Sequence, residues 1–334
     1  MILLSFSVKL YGLCGIGIKK GVVRETINYV PASTLLGAIL SSYLLYSCDK
    51  AGVCFVGGHC SMAPCPMKTL IDKLKSREIS FFHLVPATPA MTTNPSIEEY
   101  LLMWLEQAKP TKVVQAHVAI NRSLGSVTIE KVEKREGAKD WRGYLFGDEV
   151  FAPPFNEFWG LVAVKGSEEA KLVRSLLKYM NIARVGARSK YCFAELSRSL
   201  TELPRSEVRD FEKKISKSLR KDGRFIAVTG LGLTNEELKD LKLYSTTIHF
   251  VNLKNMVPDV PSSCYLSIYR LMGVTSDYLV ICKPLTILSL NLTPDKAIEA
   301  FFLGYSKFVL SPMGWNKLLP ADFVNSIVSK RMLT

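Results

Sequence analysis

From Met1 to Leu10, apolar residues alternate with small or polar ones, the period of a strand with one buried face. Glycines then punctuate Gly12 to Gly21, which reads as a loop. From Pro31 to Ser47 leucines and tyrosines recur at helical spacing, with Pro31 at an early position and Ser33 or Thr34 available to cap the helix. The pattern then predicts a strand at Ile79 to Val85, a helix at Ser96 to Ala108 and a strand at Lys112 to Ile120. Ala119 to Val150 is charged and glycine-punctuated, like a long hairpin, and a strand at Phe158 to Lys165 and a helix at Glu168 to Met180 follow.

Past Pro204 the alternation resumes. A basic helix is expected at Ser206 to Leu219, strands at Arg224 to Gly230, Leu243 to Leu253 and Cys264 to Met272, and helices at Asn235 to Leu241 and Pro294 to Phe302. Such alternation is that of an α+β protein in which helices cover a sheet face. At 334 residues and 48% hydrophobic content, two domains are expected, 1–200 and 201–334.

Charge adds a partner class. The net charge of +13 suits a polyanion or an acidic membrane surface, and nucleic acid is the default reading. Residues 165–224 carry 16 Lys and Arg against 8 Asp and Glu, so the excess is concentrated. Inside that span, Arg184, Arg188 and Lys190 surround Gly186 and Ser189, with Tyr191 and Phe193 close by. Cations suit phosphates, aromatic rings suit bases, and Gly186 lets the backbone approach a ligand. The competing reading is a solvated charged face with Phe193 in the core. In the earlier loop, Gly15, Gly17, Lys19 and Lys20 can likewise bring backbone N–H groups and two ammonium groups to a phosphate.

Two stretches are long enough to be weighed as membrane anchors. Thr26 to Cys48 is uncharged but contains Pro31, Gly37 and several serines, as in a buried soluble helix, and Tyr278 to Thr293 is broken by Lys283 and Pro284. No membrane role is expected. The start of the chain lacks the marks of a secretory signal, so a cytoplasmic protein without a disulfide framework is expected.

Cys48, Cys54, Cys60 and Cys65 place four of the eight cysteines within 18 residues, beside His59. Four thiolates at such spacings could close a tetrahedral zinc site in a Cys-rich insertion at 48–66; free thiols and disulfides are the alternatives. Cys14, Cys192, Cys264 and Cys282 lie in strand-like apolar surroundings and read as buried thiols. Of the four histidines, His83 and His249 read as core residues. His117 is the one candidate general base, with Arg122 or Lys190 to stabilise a phosphorane. No Walker loop, HExxH or GxSxG occurs.

Three segments together resemble the RAMP superfamily of CRISPR-associated proteins. Tyr29-Val-Pro-Ala-Ser33-Thr34-Leu-Leu36-Gly-Ala38 is similar to that superfamily's helix entry, with Leu36 where a Lys or Arg is common. His117-Val-Ala-Ile-Asn121-Arg122-Ser-Leu-Gly125, with Gly143-Tyr-Leu-Phe146, resembles a segment of the group that caps the 5′ end of the guide RNA. Arg184 to Phe193 resembles the glycine-rich loop, with Tyr191 and Ala194 in place of glycines. The resemblance implies two ferredoxin-like (RRM-like) domains and a β-hairpin thumb at 121–150. It also implies a non-catalytic subunit of a type III effector complex, including subtype III-D forms, that grips the guide 5′ handle. Its implied partners are guide RNA, the large signalling or nuclease subunit, backbone RAMP subunits, and target RNA through the guide duplex. RNA contacts are expected at Gly15, Gly17, Lys19 and Lys20 from the loop chemistry, and the resemblance adds Ser33, Thr34, His117, Asn121, Arg122, Arg184, Gly186, Arg188, Ser189, Lys190 and Tyr191. The alternative is a metal-independent endoribonuclease that processes CRISPR precursor RNA with His117 as base; an adaptor that binds only protein is a third reading.

Overall fold

The computed structural model describes residues 1–12, 14–20, 23–43, 55–56, 59–60, 72–87, 94–105, 110–118, 130–133, 139–142, 145–152, 156–184, 192–219, 223–242, 264–271, 274–282, 284–308 and 315–331. Its centre is an antiparallel sheet in the order Ala183–Arg184, Cys192–Glu202, Ile2–Gly12, Glu157–Val164 and Ile79–Phe81, with Val85–Pro86 also on the Glu157–Val164 strand. Its four principal strands, counted along the chain, lie fourth, first, third, second across the sheet, and helices Ala32–Tyr43 and Ser167–Leu177 fill the two connections.

Alternation in the first strand decides which side each residue serves. Leu4, Phe6, Val8 and Leu10 pack with Leu35, Leu36 and Ile39 of one helix and Val173, Leu176 and Leu177 of the other. Leu3, with Trp159, Leu161 and Ala163 of the neighbouring strand, faces a second core that includes helices Ile97–Leu105 and Arg205–Lys217 and residues up to Ile327. At the Gly12 end this second face loses its cover: Tyr11 is 41% and Phe193 44% exposed.

Beyond Leu203 the described strands form two three-stranded sheets with breaks between them. Arg224–Ala227 lies between Leu318–Pro320 and Ile287–Ser289, while Leu231–Leu233 pairs with Val274–Cys282, which pairs with Cys264–Leu271. The breaks stay bridged: the Ala227 N–H donates to Thr286 O and the Leu285 N–H to Ala227 O. Helix Asn235–Asp240 starts at a capping box, in which Thr234 Oγ1 accepts from the Glu237 N–H and the Glu237 carboxylate from the Thr234 N–H. Helix Pro294–Glu299 runs into a π-turn, and helix Ala321–Arg331 closes the described chain.

Lys317 is fully buried where the second half meets the central sheet. Its ammonium donates to Ser80 Oγ (2.7 Å) and Phe302 O (2.6 Å) and sits 3.6 Å from the centre of the Phe82 ring. Burial holds its pKa well below the ordinary lysine value, and the nearby Arg77 charge adds to this. Among the described residues no helix is long and apolar enough to cross a membrane.

Candidate nucleic-acid interface

The predicted glycine loop is only partly a loop. Gly17–Lys20 and Val23–Thr26 pair as two strands of a separate sheet that continues with Leu145–Phe151 and Lys112–Val118. Lys19 and Lys20 therefore stand on one edge strand, and His117, opposite Phe146, on the other. A polar knot roots this sheet: the Thr26 N–H donates to Glu149 Oε2 at 2.7 Å, Lys112 Nζ donates to the same oxygen at 3.2 Å and also to Thr26 O, and Thr26 Oγ1 donates to Glu149 O. Gly15 is buried against it. A Cβ there would lie 3.0 Å from Glu149 O and 3.1 Å from Thr26 Oγ1. Its missing side chain admits the protein's own backbone there.

The glycine segment is fastened to the start of the strand Cys192–Glu202. Gly12, at φ 87°, turns the chain out of the first strand opposite Cys192, and Cys14 forms a disulfide with Cys192, Cα to Cα 5.1 Å. The expectation of two simple buried thiols gives way here, because the strand register sets the two residues at bridging distance. Cys282 is disulfide-bonded as well. Arg184 ends the short strand Ala183–Arg184 opposite Phe193, and Phe193 stands opposite Tyr11. Arg184, Phe193 and Tyr11 thus occupy one row across three strands. The core placement of Phe193 does not hold, because the strand runs past the covering helices at this end. Sequence reading passed over Tyr11, although its place in the alternation after Lys9 put it on the face away from Leu10. The nearby Glu195 carboxylate raises the tyrosine pKa, and Lys9 Nζ lies 5.3 Å from its ring centre.

Ser33 and Thr34 are half-buried in the first turn of helix Ala32–Tyr43. That turn has a partner distant in the chain: the Ala32 N–H donates at 3.0 Å to Nδ1 of His83, a histidine 51 positions away. His83 is 1% exposed and packs with the Tyr29 and Trp104 rings, as a core imidazole should. Burial first and the Lys317 charge second lower its pKa to about 3. It is unsuited to acid–base chemistry near neutral pH.

Asn121, Arg122, Gly186, Arg188, Ser189, Lys190 and Tyr191 lie outside the described residues, as do His249, Cys48, Cys54 and Cys65. Cys60 sits opposite Phe55 in a two-residue strand pair with His59 opposite Val56. Among the described residues no three His, Cys, Asp or Glu gather as a metal site. Within 121–150, Glu130–Glu133 pairs with Lys139–Arg142 as an antiparallel ribbon.

Neither a protein-family model nor a curated protein sequence matches the chain. Its structural neighbours include type III CRISPR and RAMP proteins. A chain of the type III-B Cmr-beta complex bound to cognate target RNA is 15% identical at a TM-score of 0.35, and the match spans 60% of each chain. A chain of the Csm3–Csm4 subcomplex of the type III-A interference complex is 10% identical at a TM-score of 0.38, over 96% of this chain and 99% of that one. A RAMP protein binding different RNA substrates is 7% identical at 0.32, over 96% and 99%. At these scores the likenesses decide nothing about chemistry.

Proposed function

We propose that this chain is a non-catalytic RNA-binding RAMP subunit of a type III CRISPR effector complex, holding the 5′ handle of the guide RNA between the large subunit and the backbone subunits. One observation carries the reading: the central sheet has the strand order fourth, first, third, second, and Cys14–Cys192 fastens the glycine segment to the strand that follows the third motif-like segment. That order is that of the ferredoxin-like fold, so we read 1–200 as one such domain and propose a second at 201–334. The ribbon within 121–150 is read as the thumb. The net charge of +13 supports a polyanionic partner. Zinc at Cys48, Cys54, Cys60 and Cys65 remains part of the proposal through the donor chemistry of four thiolates.

Titration of the purified chain with labelled repeat-derived RNA tests this. Binding should weaken steeply with salt, and Arg184→Ala or Arg188→Ala should each lower affinity and reduce the salt slope by about one. Unchanged affinity and slope in both variants would count against the assignment. The RNA should emerge intact, whereas cutting that disappears in His117→Ala would establish the ribonuclease instead.

A further inference from the structure

We infer that Tyr11 and Phe193 form a stacking platform for unpaired bases of single-stranded RNA, an inference that rests on the RNA-binding reading above. They are the large aromatic residues exposed among those whose burial is described, and they stand directly opposite each other on adjacent strands. Directly opposed side chains leave a sheet on the same face about 5 Å apart, so the two rings make one apolar surface at the uncovered end of the sheet. Lys9 Nζ lies 5.3 Å from the centre of the Tyr11 ring, on the same face of the sheet.

The surrounding charges indicate how a strand would lie. Arg184 continues the row beyond Phe193 and leads into the basic loop. On the opposite side stands Glu157, in register with Lys9, accepting from Ser197 Oγ at 2.8 Å and lying 3.6 Å from Arg198 Nε. Carboxylates repel phosphate, yet they accept hydrogen bonds from base amino groups. The sugar–phosphate backbone is thereby directed away from Glu157, with bases turned inward over the rings. Every base has a π-face, so such a platform tolerates sequence while demanding a base. A protein partner fits less well, because the apolar area is two rings bordered by charge and not a groove.

The full-length chain, titrated with a single-stranded 10-mer RNA carrying 2-aminopurine and with an abasic strand of the same length, tests the platform. The wild type should quench 2-aminopurine and prefer the base-bearing strand. Phe193→Ala and Tyr11→Ala should each weaken that binding about 5- to 100-fold at unchanged salt slope and unchanged circular dichroism, while Tyr11→Phe keeps the quench. Equal affinity for both strands, or alanine variants that still quench, would overturn the platform while leaving RNA binding intact. Alanine variants that bind RNA normally but fail to assemble with other subunits would overturn it in favour of a protein contact. A wild type that binds neither strand would remove the platform together with the reading beneath it.

Discussion

Replacing both Cys14 and Cys192 by alanine removes a covalent tie between residues 178 positions apart. Bridging so long a span restricts the unfolded chain severely, and the loop-entropy relation gives about 5 kcal/mol at 25 °C. Against an unfolding entropy of about 2.1 cal/mol/K per residue over the chain, that is a fall in Tm of about 7 °C. Both residues are 1% exposed, so the lost sulfur packing acts in the same direction. Thermal denaturation followed by circular dichroism, wild type beside the double variant and without reductant, reads the difference. RNA affinity should fall too, because the bridge sets the glycine segment against Cys192, which follows the basic segment in the sequence. A Tm shift below about 1 °C, or alkylation of denatured wild type at both Cys14 and Cys192, would refute the bridge.

Three further outcomes follow from the buried groups and the cysteine cluster. The His83 pKa lies at about 3 in the fold against 6.5 in the unfolded chain, so the native state binds fewer protons in that window and stability falls as pH drops from 6.5 to 3. The loss amounts to about 5 kcal/mol, and His83→Asn, which keeps an acceptor for the Ala32 N–H, should flatten that part of the acid denaturation curve; an unaltered curve would contradict the buried neutral imidazole. For Lys317 the same accounting runs upward: with its folded pKa below 10.5, wild-type stability relative to Lys317→Met should rise between pH 7 and 10, as denaturant titration would register, and a flat difference would show an ordinary lysine. Elemental analysis of protein purified under reducing conditions should find one zinc per chain that is lost in Cys60→Ser, and a metal-free wild type would remove the zinc proposal.

Periodicity made much of the first half legible. The helices at Ala32–Tyr43, Ile97–Leu105 and Ser167–Leu177 and the strands at Ile2–Gly12 and Glu157–Val164 lie where apolar spacing predicts them, since each buries one continuous stripe. The long strand Cys192–Glu202 was hidden because its outer face carries exposed Phe193 and polar Glu195 and Ser197, which blunts the contrast between its two faces. Strand Ile79–Phe81 stops early because Leu84 leaves the sheet to pair with Val30. The predicted strand Leu243–Leu253 lies outside the described residues. Strands of three residues such as Leu318–Pro320 are too short for any period to register.

At the candidate interface, residue chemistry was easier to foresee than its use. Glycines announced close approach, but Gly15 meets the protein's own Glu149 carbonyl, and sequence cannot say whose backbone fills the space. Cys14 and Cys192 looked like separate thiols because only the register of strands far apart in the chain places them together. The Tyr11–Phe193 row has the same origin, being a relation across strands.

Purification of the chain from its native host, followed by sequencing of the small RNA that accompanies it, measures guide binding most directly. The expected result is a set of RNAs sharing one repeat-derived 5′ end with varied sequence beyond it, together with other subunits of the complex. Preparations free of RNA, or RNA lacking any common 5′ end, would contradict it.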